Sequence, residues 1–171
     1  MREFSTQAIV LDKEDHGEVD AKVFLYSPEY GKIIAKVKSI KKPLSKLNSH
    51  LEPFNLVSVR IIDRGPQIVD ALAIEKLTPS WGLAKFLNFI KEITFEGQSD
   101  YQFWGMVRQA IVSGKIDYRK FLAIQGFDPE FALCQNCGES NPNYFFYQDH
   151  DFWCRQCFSK SPCLNGFLEL S

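Results

Sequence analysis

Phe54-Asn-Leu-Val-Ser-Val-Arg-Ile-Ile62 is the stretch that decides the fold. Val57, Val59 and Ile61 fall on one face of an extended chain and Ser58 and Arg60 on the other, the period of two that marks a half-buried strand. Four further runs flank it: Phe4 to Leu11, Val19 to Ser27, Lys32 to Lys38 and Gln67 to Lys76. Turn signals separate them at Asp15-His16-Gly17, Ser27-Pro28-Glu29-Tyr30-Gly31 and Asp63-Arg64-Gly65-Pro66. Five short strands, with the longest break between the third and fourth, fit a small closed barrel of OB type. An SH3-like barrel is the competing fold.

The run of strands stops at Leu77-Thr78-Pro79-Ser80. Thr78 as N-cap with Pro79 at the first helical position predicts a helix, along which Leu83, Phe86, Leu87, Ile90 and Ile93 recur at helical spacing. Ser99 and Gln102 form a capping-box pattern ahead of Phe103, Met106, Val107, Ala110 and Ile111, and Gly114 ends that helix. A third, short helix is expected from Asp117 to Gln125. The fold class is therefore α+β. An OB-type barrel occupies residues 1–77, a small helical region 78–132, and a zinc-finger module with a short tail 133–171.

That last segment contains Cys134-Gln-Asn-Cys137 and Cys154-Arg-Gln-Cys157. Two thiolates three positions apart grip an ion from one side, and a second pair closes the tetrahedron. Between the pairs, Asn141-Pro142-Asn143 and the strand-like Tyr144-Phe145-Phe146-Tyr147 allow the chain to run out and back as a hairpin. Gly138 suits the tight knuckle after the first pair. One structural zinc on Cys134, Cys137, Cys154 and Cys157 is expected, with no coordination position left for water. Disulfides are the alternative, but the opening Met-Arg-Glu-Phe-Ser-Thr-Gln has no apolar export segment, so a cytoplasmic, reducing location is expected. Cys163 is expected to be a buried free thiol, and two complete pairs leave His150 no vacancy.

The net charge is −1, yet from Gly31 to Ser49 there are six lysines and no acid: Lys32, Lys36, Lys38, Lys41, Lys42 and Lys46. Such a segment is either a solvated surface or a phosphate-binding one, in which each lysine releases counterions and gives affinity without sequence preference. Arg60 and Arg64 extend the patch. Phe24, Tyr26 and Tyr30 are the candidate stacking platforms, each also a candidate core residue. No phosphate-cradling glycine loop, nucleophile elbow or His-Glu-x-x-His pair is present, and the three histidines form no acid–base constellation. A binding protein, not an enzyme, is expected.

Several of these stretches resemble the bacterial recombination mediator and DNA repair protein family RecO. Ala8-Ile9-Val10-Leu11 and Gly17-Glu18-Val19-Asp20 look like its opening strands, and Ser27-Pro28-Glu29-Tyr30-Gly31-Lys32 like its turn into the basic strand. His50-Leu51-Glu52-Pro53-Phe54 resembles its fourth-strand entry, and Gly126-Phe127-Asp128-Pro129 leading into the cysteine pairs resembles its junction with the zinc finger. The resemblance implies binding and annealing of single- and double-stranded DNA, with RecR and single-stranded DNA-binding protein as partners in loading RecA. By position it maps the family's DNA-binding surface onto Lys32 to Lys46. The sequence ends at Ser171, soon after Cys157, where the family usually continues into further helix. Contact with the tail of single-stranded DNA-binding protein is accordingly expected to be weak or absent.

Overall fold

The computed structural model describes residues 3–63, 65–160 and 166–170; Arg64 and Cys163 lie outside them. The chain divides into two compact units, Met1–Gly105 and Met106–Ser171.

In the first unit, β1 (Glu3–His16), β2 (Asp20–Ser27), β3 (Gly31–Val37), β4 (Asn55–Ile62) and β5 (Gln67–Lys76) form a closed barrel in the order β1-β2-β3-β5-β4. All neighbours are antiparallel except β3 and β5, which meet in parallel at Lys36 and Gln67. β1 serves two partners. Glu3 to Ile9 pairs with β4 and Ile9 to His16 with β2, the change of register falling between Val10 and Asp12. A bulge there bends the strand enough to carry it from one neighbour to the next. The predicted first strand stops at Leu11, five residues short. Asp12 to His16 is held by cross-strand pairing to Asp20 through Phe24 and lacks the buried alternation that would have marked it in the sequence.

The inward faces supply the core: Ala8, Val10, Val23, Leu25, Ile33, Ala35, Val37, Val57, Val59, Ile61 and Ile68. The loop between β3 and β4 contributes Ile40 and Leu51, both buried in the same cluster, so its ends are fixed to the barrel. The Asn55 side chain donates to the carbonyls of Ser49 and His50 and fixes the return into β4.

α1 (Trp81–Ile93) begins two residues later than the sequence suggests. Ser80 is the N-cap: its backbone is extended and its hydroxyl accepts from the Leu83 N–H at 3.1 Å, which removes Thr78 from that role. Phe86, Leu87, Phe89, Ile90 and Ile93 are buried. α1 is tied to the outer face of β1, where Lys91 Nζ donates to Asp12 Oδ2 and Glu14 Oε1, both at 2.7 Å, and lies 4.2 Å from the Phe24 ring centroid. α2 (Tyr101–Ser113) is capped by Asp100 and not Ser99, the Asp100 carboxylate accepting from Phe103 N–H at 2.9 Å. The Asp100 carboxylate, one position on, reaches the free N–H of the first turn, so the capping-box pattern goes unused.

In the second unit, α3 (Tyr118–Ile124) has Asp117 as N-cap. A small sheet follows in the order β7-β6-β8, from β6 (Tyr144–Phe146), β7 (Asp151–Trp153) and β8 (Phe167–Glu169), with α4 (Arg155–Lys160) between β7 and β8. Its interior is aromatic. Tyr144 stacks on Phe158 at 3.9 Å, and Phe146, Trp153 and Phe167 pack edge-on or tilted around them. Among the described residues no helix is long and apolar enough to cross a membrane.

Candidate metal centre and nucleic-acid surface

The hairpin of β6 and β7 brings the two cysteine pairs together. Cys134 N–H donates to Glu139 O and Gly138 N–H to Cys134 O, both at 2.8 Å, closing the first knuckle with Gly138 at φ 74°. Cys154 directly follows β7 and Cys157 lies in α4, with Phe158 N–H donating to Cys154 O. Gln135 N–H donates to Phe152 O and links the first knuckle to the hairpin.

The four sulfurs lie within 4.8 Å of one another, and Cys137 Sγ is 3.7 Å from Cys154 Sγ. A tetrahedral ion with metal–sulfur bonds of about 2.3 Å places its sulfurs about 3.8 Å apart, so the cluster has the dimensions a metal requires. Asn136 Nδ2 donates to Cys157 Sγ at 3.2 Å and Cys157 N–H to Cys154 Sγ at 3.5 Å, the outer contacts that orient thiolate ligands. Burial opposes ionisation of Cys134, but backbone N–H groups at Cys154, Cys137 and Asn136 outweigh it and bring its pKa down to about 6. Glu139 N–H favours the Cys137 thiolate, yet the sulfurs of Cys157 and Cys134 overcome this and push Cys137 up to about 12. The Cys134 thiol is thus eased toward its anion and the Cys137 thiol is held from it. His150 stacks on Phe127 at 4.8 Å, apart from the thiol cluster.

The lysines have unequal surroundings. Lys32 is half-buried, and its Nζ donates to Lys91 O at 2.7 Å, at the C-terminal end of α1. Burial lowers its pKa, with Glu92 and Glu96 acting in the opposite direction. Lys41 pairs with Asp15 at 2.8 Å, and Arg60 with Glu3 at 2.7 Å. Lys36, Lys38, Lys42 and Lys46 are exposed and form no ion pair among the described residues. Of the three aromatic candidates, Phe24 is buried beneath Lys91, and Tyr26 is buried against Phe103 and Trp104. Tyr30 alone is exposed, and its ring packs tilted against Phe4. In the second unit Arg119 Nε donates to Leu170 O, and Lys120 pairs with Asp117 at 3.4 Å.

Reading along the sequence misses Lys22. It lies directly across from Lys36 in the antiparallel pair of β2 and β3, so the two ammonium groups project from one face. Like charges in that position repel, an arrangement that costs stability unless an anion is nearby. Only the hairpin register could have revealed it. Lys91 is a second omission: by binding Asp12 and Glu14 it neutralises the acids closest to Lys22.

Residues 1–79, which contain all of these lysines except Lys91 and Lys120, match the family model of the recombination protein O N-terminal region. The chain is 25% identical to the DNA repair protein RecO of Bacillus pumilus, over 92% of this chain and 69% of that protein. It is 27% identical to the DNA repair protein RecO of Dehalococcoides mccartyi, over 91% of this chain and 70% of that protein. Both its N-terminal region and most of its length are thus similar to RecO proteins. The RecO of Cutibacterium acnes is 35% identical over 79 residues, 46% of this chain and 32% of that protein. The five-stranded barrel with its loop lysines is the region that the recombination protein O N-terminal model matches.

Proposed function

We propose that the chain acts in DNA repair and recombination as a non-enzymatic mediator, gripping DNA by its phosphates. The observation that carries this reading is the pairing of Lys22 with Lys36, continued along the β3–β4 loop by Lys38, Lys42 and Lys46. None of these groups forms an ion pair among the described residues: Glu14, across from Lys22 in β1, is engaged by Lys91, and Asp15 by Lys41. A row of free ammonium groups on a barrel surface releases counterions from any strand laid across it. Contacts of that kind are indifferent to sequence and accept single and double strands. By neutralising two strands at once, the surface lowers their repulsion and favours annealing. Loading of RecA together with RecR, in a RecF-type pathway in the cytoplasm, is the wider role that similarity to RecO proteins supports.

The cysteine cluster is suited to one structural zinc, held by Cys134, Cys137, Cys154 and Cys157, whose contribution is to fold the second unit. Gel-shift titration of the full chain with single- and double-stranded oligonucleotides tests the DNA reading. The triple variant K36E/K38E/K42E should lose at least about tenfold in affinity for every sequence alike, because each phosphate contact is electrostatic. Unchanged affinity would instead favour a zinc-containing protein-interaction module whose lysines only solvate the surface.

A further inference from the structure

The first unit contains a cleft of about 310 Å³ that phosphate binding does not use. Its lining includes Ile33 and Ile34 of β3 and the ring pair of Phe4 and Tyr30, with centroids 4.2 Å apart. Around it stand three carboxylates, Glu29, Asp63 and Glu96. Among the described residues the one lining cation is Lys32, which directs its Nζ to Lys91 O.

The cleft is held by main chain. Residues 96–98 are fixed against the start of β3 by bridges from Glu96 to Gly31 and Lys32 and by Gly97 N–H donating to Lys32 O at 3.1 Å. Gly31, at φ +63°, lies so close to Gln98 that a Cβ would stand 2.0 Å from its carbonyl oxygen. The Glu29 carboxylate accepts the Thr6 hydroxyl and is thereby oriented. Asp63 and Glu96 accept no side-chain hydrogen bond or ion pair among the described residues.

We propose that this cleft receives an arginine side chain presented by a partner protein. A guanidinium is planar and weakly hydrated, stacks on an aromatic face, and carries five donors that suit carboxylates placed around its edge. An ammonium has the charge without the plane. Phosphate is repelled by the three carboxylates, so the cleft is a site separate from the lysine surface and does not depend on the DNA reading.

The test uses NMR of the full chain with the blocked peptide acetyl-Gly-Arg-Gly-amide, with its lysine counterpart, free arginine and dGMP as comparators. Saturable shifts of the Tyr30 and Phe4 ring protons are expected, at least about fivefold tighter for the arginine peptide than for the lysine peptide. The isosteric variant D63N/E96Q should weaken that binding by about tenfold. Its unchanged thermal melt would show an intact barrel, and its undiminished affinity for oligonucleotides would show that the phosphate surface is untouched. K36E/K38E/K42E should bind the arginine peptide as the parent does. Absence of saturable shifts, equal binding of the lysine peptide, or indifference to D63N/E96Q would overturn the proposal. Tighter binding of free arginine than of the peptide would also overturn it, in favour of a small-molecule site, as would preference for dGMP, in favour of a nucleobase pocket.

Discussion

The barrel and the cysteine module solve the same problem with different materials. The barrel buries a continuous set of Val, Ile, Leu and Ala side chains inside a sheet that closes on itself, so its backbone groups and its apolar surface are satisfied together. The module has strands of three residues and an interior of stacked rings around four thiols. A sheet that short buries too little to offset the entropy of ordering it. The barrel should therefore stand without a ligand, whereas the module should depend on its ion.

Breaking the module gives the largest expected effect. Cys154→Ser, or a strong chelator, removes zinc binding that contributes about 10–16 kcal/mol in small zinc modules. Hydrogen exchange should then show loss of protection across residues 134–158, with β1 to β5 unchanged. Zinc-free protein retaining full protection in β6 and β7 would erase the contrast between the regions.

The converse experiment attacks the barrel. Leu51→Ala leaves a cavity at a fully buried position where the β3–β4 loop enters the core, and should cost about 2–5 kcal/mol in a denaturant melt. Zinc content should not change. A smaller loss is expected from Gly31→Ala, on the order of 1–3 kcal/mol, from the positive φ together with the approach of Gln98. The melt of the first unit should register it, and an unshifted melt would show that residues 96–98 yield easily.

What could be read from the sequence follows the same division. Cysteine spacing is a local signal, and the four cysteines it singles out do come together. Period-two alternation found the five strands because burial imposes it. It failed for Asp12 to His16, where pairing alone decides. The helix caps were displaced because Ser80 and Asp100 compete with equally plausible neighbours, and only backbone geometry chooses between them. The basic surface was legible as a run of lysines but not as a set of roles. That Lys32 binds a helix end, and that Lys22 faces Lys36, are consequences of register and tertiary packing.

The smallest effect concerns Tyr26, whose pKa burial pushes well above the usual value, with Asp100 adding to the rise. A raised phenol pKa stabilises the fold below the unfolded value of about 10, and that stability is lost as pH rises beyond it. The parent should weaken more steeply than Tyr26→Phe above about pH 10 in alkaline melts followed by the barrel signal. Parallel curves would place the alkaline sensitivity elsewhere.

The central claim, that Lys22, Lys36, Lys38, Lys42 and Lys46 bind DNA through its phosphates, is tested most directly by the salt dependence of binding to a single-stranded oligonucleotide. Log affinity should fall linearly with log salt by about 0.7 per neutralised phosphate, and K36E/K38E/K42E should flatten that slope by about 2. A parent slope near zero, or one that the triple variant leaves unchanged, would contradict it.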